Sequence, residues 1–291
     1  MTVPVCRYNG RDFSAEDLAL IHELLALTPP LSRYALSIEF CRRVDWRKPD
    51  GGLKQMSARL AFLSMHRDGV ITLPPPRRKQ YRPKPIVPGP ETDPPARVPA
   101  SLEEARPLQI TPVFGSTDAG ALWNAFIDRY HYLGYRPLSG SQMRYTVSDR
   151  HGCPLALLGF EAAAWKTAPR DAFIGWSAAQ RQRQLHLVVN NARFLILPWA
   201  HLPNLASHLL SRLHQQLPDD WQNRYTFRPV LLETFCEIPR FPGTVYRAAN
   251  WTRVGQTQGR GRNDQHKQFA LPEKHIFVRP LDKNWKSILN S

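Results

Sequence analysis

The sequence predicts an α/β (α+β) protein: one mixed central sheet with helices on its faces, preceded by a small helical unit. Three observations predict it. Eleven of the 27 prolines fall between Pro74 and Pro107 and divide the 291 residues. Before them, apolar residues recur at the helical period. After them, short β-branched runs alternate with amphipathic stretches, a pattern that builds one sheet covered by helices.

Residues 1–73 read as three helices and a short strand pair. Ser14 with Asp17 forms a capping box in which Asp replaces the usual Glu or Gln. Leu18, Ile21, Leu24 and Leu25 then follow at helical spacing up to Pro29-Pro30. LSIEFCRRV predicts a second helix capped by Ser37, with Phe40, Cys41 and Val44 inward. GLKQMSARLAFLSMHRDG predicts a third, with Met56, Leu60 and Leu63 on its buried face and Lys54, Ser57 and Arg59 turned away. Asp68-Gly69 stops it and opens a strand in VITLP. That order is the one of a winged helix-turn-helix, whose third helix lies in a DNA groove.

Residues 74–107 read as an extended, polyproline-like linker, because proline fixes φ and deletes amide donors. Its first half is basic, through Arg77, Arg78, Lys79, Arg82 and Lys84.

Residues 108–291 form the second domain. QITPVF reads as a strand and TDAGALWNAFIDRYHYL as an amphipathic helix. MRYTVSD and PLALLGFEAAAW pair through the turn Asp149-Arg150-His151-Gly152. AFIGW, the strand LHLVVNNARFLIL and the helix NLASHLLSRLHQQL, capped by Asn204, come next. The strand PVLLETFCE, a short helix in TVYRAANW and the strands WTRVGQT and HIFVRPL close the chain.

Thirty-nine Lys and Arg against 24 Asp and Glu leave a net charge of +15, which predicts a polyanionic partner, most often nucleic acid. No apolar run has the length of a membrane span, and the amino terminus carries no export pattern. The four cysteines lie far apart, with no metal-ligand spacing, which points to a reducing cytoplasm.

The element order of the second domain resembles the GNAT N-acetyltransferase fold. That family grips the coenzyme A pyrophosphate with a glycine-rich loop. The matching stretch here, Asn190 to Ser207, has no glycine and carries Phe194, Leu195 and Trp199 instead, so acetyl-coenzyme A is not an expected cofactor. A closer resemblance rests on eight blocks in one order: YHYLGY, GSQMRYTV, RDAFIGW, NNARFLILPW, NLAS, ETFCE, GTVYRAANW and GRGR. They resemble the DruA family of the Druantia anti-phage defence system, similar members of which accompany transposons in prokaryotes. The resemblance implies DNA-associated work in defence or mobile-element biology, with defence-system or transposon proteins as partners. It implies no particular reaction.

Among the basic residues, Arg260, Arg262 and Lys267 sit in a glycine-rich segment, where backbone amides and guanidinium groups can hold phosphate. Arg144, Arg170, Arg193 and Arg247 extend the expected nucleic-acid footprint, with Arg181 and Arg183, beside Lys54, Arg59, Arg77, Arg78 and Lys79. Trp176, Trp199 and Trp251 could stack unpaired bases if these arginines line a channel, but as large aromatics they read as core.

The candidate catalytic residues are Glu233, Asp171 and Glu161, which could converge on Mg²⁺ for phosphodiester cleavage, Glu233 and Asp171 being the candidate ligands. His131 beside Tyr132 offers a base next to a nucleophile for tyrosine-linked strand transfer. For each residue a structural alternative stands: a helix end packed by aromatics for YHYLGY, and a carboxylate paired with arginine for Glu233. A DNA-binding protein, a metal-dependent transposase or nickase, and an atypical acyltransferase are the three functional classes.

Overall fold

The structure is a computed structural model that describes residues 6–76, 85–259 and 271–291. It divides into two compact units, Met1–Lys84 and Pro85–Ser291.

In the first unit a hairpin, β1 (Cys6–Tyr8) and β2 (Arg11–Phe13), precedes helices α1 (Ala15–Leu25), α2 (Arg33–Arg43) and α3 (Gln55–Arg67). Ser14 and Asp17 form the expected capping box. The cap of α2 is Ser32, whose Oγ accepts the Ala35 N–H, and not Ser37. Ser37 lies a turn inside, buried, its hydroxyl donating to Tyr34 O at 2.7 Å.

Two further expectations for this unit do not hold. Helix α3 is rotated from the predicted face: Met56 and Leu60 are about half exposed, at 54% and 49%, while Ala58, Ala61, Phe62 and Met65 are buried. Small Ala58 and Ala61 allow close helix approach, and the Phe62 ring meets Phe40 edge-on at 5.2 Å. The strand expected in VITLP is absent among the described residues. Ile71 and Leu73 are buried there, and the His66 ring, not a neighbouring strand, meets Ile71 O and Leu73 N. The hairpin therefore stands before the helices, where a winged helix-turn-helix places it after them.

The stretch 74–107 is not one free linker. From Pro85 it belongs to the second unit, where Thr92 is buried and its carbonyl accepts the Tyr130 hydroxyl at 2.8 Å. Arg129 pairs with Asp93 close by. Arg77, Arg78 and Lys79 lie outside the described residues.

The second unit runs α4 (Leu102–Ala105), β3 (Gln109–Val113), α5 (Asp118–Tyr130), β4 (Met143–Ser148), β5 (Pro154–Ala162), α6 (Ala168–Ile174) and α7 (Ala178–Gln184). It continues through β6 (Val188–Ile196), α8 (Leu205–Tyr225), β7 (Leu231–Glu237), α9 (Thr244–Ala248), β8 (Thr252–Gln256), β9 (Lys274–Pro280) and α10 (Trp285–Leu289). This is the mixed α/β architecture the sequence predicts. AFIGW ends α6, with Gly175 left-handed after it. Asn204 occupies the cap position of α8 at φ +63° but makes no side-chain cap bond.

The seven strands lie in the order β3-β4-β5-β6-β7-β9-β8. All neighbours are antiparallel except β6 and β7. That parallel ladder is short, joining Val188, Val189 and Asn190 to Leu231, Leu232 and Glu233. Immediately beyond it β6 carries a bulge: Gly159 pairs with Arg193 and Phe160 with Asn191, leaving Ala192 without a partner on β5. A bulge bends its strand, and β6 and β7 part here. One face of the sheet packs on α8 through Leu209, Leu213 and Leu217, and the other on α5 through Trp123, Phe126 and Ile127.

Candidate functional site

The parting of β6 and β7 opens a cleft of about 790 Å³, within the range of small-molecule sites. Side chains alternate along a strand, so β6 gives the cleft two different walls. Arg193 points to the α5 face, where His131 and Tyr132 follow the end of that helix. Phe194 and Ile196 point to the α8 face, where Val245 and Tyr246 of α9 meet them.

The α5-facing wall is polar. His131 is mostly buried, and burial, with Arg193 nearby, pushes its pKa down to about 4. Its Nδ1 accepts the Leu133 N–H at 3.2 Å. A neutral imidazole with Nδ1 accepting carries its proton on Nε2. His131 is thus a hydrogen-bond donor at neutral pH, and not the base the sequence suggested. Tyr132 stacks on it at 4.9 Å. Burial, then Glu237, pushes the Tyr132 phenol up to about 12, which opposes the phenolate a nucleophile needs.

Arg193 donates Nη1 to Ala192 O at 2.8 Å, the carbonyl of the bulged residue. Among the described residues no carboxylate pairs with it, and burial lowers its pKa. Arg240 lies over the Tyr132 ring at 4.8 Å and reaches Glu237 at 3.9 Å. With Lys274, three cations line the cleft, and Glu161 is the one carboxylate of the lining among the described residues. Phe241 meets Tyr132 edge-on at 5.1 Å.

On the other side, Tyr246 is buried and spans the gap. Its hydroxyl donates to Asn191 Oδ1 at 2.8 Å and lies 3.3 Å from Thr234 Oγ, which itself donates to Asn191 O at 2.9 Å, so the three side chains link β6 to β7 past their last ladder pair. Asn190 donates Nδ2 to Glu161 Oε1 at 3.3 Å, and its Oδ1 is buried without a partner among the described residues.

The predicted site residues are brought together only in part. Glu161 and Arg193, with His131 and Tyr132, line the cleft. Glu233 and Asp171 do not form a metal pair, because Arg170 lies between them. Its Nη1 donates to Glu233 at 2.8 Å and its Nη2 to Asp171 at 2.7 Å. Glu161 holds the Ser139 N–H at 2.7 Å. No group of three or more His, Cys, Asp or Glu among the described residues is placed to hold a metal.

Arg170 is wholly buried, so it forms no surface footprint for DNA. Arg144 is buried as well, over Trp123 and bonded to Asn124 and Gln142. Arg247 and Arg59 are exposed and Lys54 is partly so, whereas Arg260, Arg262 and Lys267 lie outside the described residues. Trp176 and Trp251 are core, and Trp199 is partly buried against Phe126 and Tyr130. Sequence reasoning missed Asn190, Asn191, Arg240, Phe241, Tyr246 and Lys274. Two adjacent asparagines inside an apolar strand were the available signal, since buried amides need partners.

The loop from Leu197 to Asn204 is filled by its own side chains, with Leu197, Ala200 and Leu202 buried. Trp199 Nε1 donates to Pro154 O at 2.7 Å.

Among solved structures, the second unit's fold is similar to spermidine/spermine N-acetyltransferase SpeG from Vibrio cholerae. That match has 10% identity and a TM-score of 0.39, covering 62% of this chain and 96% of that one. It is also similar to the ribosomal-protein-S18-alanine N-acetyltransferase from Escherichia coli, at 9% identity and TM-score 0.37 over 60% and 94% of the two chains. Likeness at this level assigns neither reaction nor ligand. No curated protein sequence matches the chain. A family model described as Druantia protein DruA matches residues 64–270, from α3 through β8, and the chain belongs to that family.

Proposed function

We propose that this DruA protein binds an unpaired DNA strand along the mouth of the β6/β7 cleft, as part of anti-phage defence or mobile-element biology. The observation that carries the reading is the composition of that mouth. Arg193, Arg240 and Lys274 face it together with Tyr132 and Phe241, with Glu161 the one carboxylate of the lining among the described residues. Cations that follow the backbone, interleaved with aromatic rings that take bases, are the physical recipe for single strands. The +15 charge of the chain adds a long-range attraction. In the first unit, exposed Arg59 on α3 and the basic segment at Arg77, Arg78 and Lys79 would contribute further phosphate contacts.

Fluorescence anisotropy of a labelled oligothymidylate, titrated with the full chain at several salt concentrations, tests this. Affinity should fall steeply with salt, by a logarithmic slope of about 0.7 per phosphate neutralised. The double variant Arg240→Gln, Lys274→Gln should weaken binding and flatten the slope by about one to two. Salt-independent affinity, or a double variant that binds as the parent does, overturns the reading.

A further inference from the structure

A cleft that met only phosphates would have no reason for an apolar interior. This one has both characters, separated by the sheet itself. On the α5 face stand the Nε2–H of His131 and the guanidinium of Arg193, two donors with no carboxylate paired to either among the described residues. Through the gap, on the α8 face, the lining is Phe194, Ile196, Val245 and the ring of Tyr246. Phe194 and Tyr246 lie 6.3 Å apart at a steep angle, forming an aromatic corner.

The two donors ask for an anionic oxygen. Arg193 supplies charge and His131 a neutral N–H whose direction is fixed by the Leu133 amide on the opposite ring nitrogen. The corner asks for a flat, apolar-faced group. A nucleotide has these two ends at one covalent spacing, and the cleft volume exceeds what one nucleotide needs.

We propose that one nucleotide of the bound strand is turned out of its stack into the cleft, its phosphate on Arg193 and His131 and its base against Phe194 and Tyr246. Extruding a base costs least where the strand is already unpaired, which suits a single-strand ligand. The inference rests on the strand-binding reading and adds to it a pocket for one base.

The test compares oligothymidylate with a fully abasic strand of the same length, which keeps every phosphate. The full chain should prefer the thymidylate by about tenfold, the scale of one base stacked on protein aromatics. Val245→Trp, which fills the interior and leaves the mouth intact, should lower that preference to what Tyr132 and Phe241 at the mouth supply, without altering the salt slope. His131→Phe should weaken binding at an unchanged slope, because the lost donor is neutral. Arg193→Gln should weaken binding and lower the slope by about one-half to one.

Equal affinity of the parent for the two strands overturns base insertion and the stacking of bases at the mouth, while the phosphate contacts of strand binding stand. A preference undiminished by Val245→Trp, in a protein whose far-ultraviolet dichroism is unchanged, also overturns it, since every stacked base then lies at the mouth. Failure to bind either strand overturns both readings. Binding of acetyl-coenzyme A that Val245→Trp abolishes, with no preference between the strands, gives the cleft to an acyl carrier instead.

Discussion

Arg170 and Glu233 form an ion pair in which neither side chain has any exposed surface, Nη1 donating to Oε2 at 2.8 Å. Burial pushes the Glu233 carboxyl up, and Arg170 and the Ala164 N–H pull it back. Arg170→Met would strand that carboxylate. The expected loss is about 3–5 kcal/mol, read by urea denaturation. A loss below about 1 kcal/mol would show that Glu233 finds another partner or stays neutral.

Helix α3 offers a test of its orientation. Leu60→Ser and Met56→Ser change exposed positions and should shift stability by no more than about 0.5 kcal/mol. Phe62→Ala empties a ring site against Phe40 and should cost about 3–5 kcal/mol. The reverse ranking would restore the face that hydrophobicity alone selects.

That pair of positions shows where the sequence was legible and where it was not. Strand and helix order in the second unit could be read because period-two and period-3.6 patterns differ over short windows. The capping box at Ser14 could be read because it is local. On α3 the apolar residues nearly encircle the helix, and the choice of face was made by small alanines fitting another helix, a fact of three dimensions. The cleft was hidden for a related reason. Its walls come from β6, β7, α9 and the end of α5, and the bulge at Ala192 that opens it leaves no mark on the hydrophobic pattern. Glu233 and Asp171 were singled out as carboxylates, but their partner was decided by Arg170 on a neighbouring helix.

Buried His131 and half-buried His214 contribute to the acid side of the stability curve. Burial, then a nearby arginine, lowers both His131 and His214 to about 4, and His214 Nε2 accepts the Trp251 N–H at 3.0 Å. Each is neutral when folded and takes a proton near 6.5 when unfolded. Between those values the unfolded chain binds more protons, so stability rises with pH across this window and is lost on acidification. Tm measured from pH 4.5 to 7.5 should show this slope. His131→Gln should flatten it in part. An unchanged slope would mean that His131 is charged in the fold.

Gly120 sits in the first turn of α5 and is buried, and a Cβ there would lie 1.9 Å from Phe114 O. Glycine to alanine inside a helix ordinarily stabilises by about 1 kcal/mol. Here the sign should reverse, with Gly120→Ala destabilising by about 1–3 kcal/mol in a denaturant titration.

Tyr246→Phe removes the hydroxyl that joins Asn191 to Thr234 and leaves a buried amide oxygen unpaired. The expected cost is about 1–3 kcal/mol. Amide hydrogen exchange should quicken at the ends of β6 and β7 near the cleft, while α3, in the other unit, keeps its protection.

Three ladder pairs, at Val188, Val189 and Asn190 of β6, join β6 to β7, whereas seven join β7 to β9. The large sheet is therefore two panels that share a narrow strip, like covers on a short spine. Beyond that strip no ladder bond among the described residues sets the width of the opening, and side chains span it instead, Tyr246 and Thr234 among them.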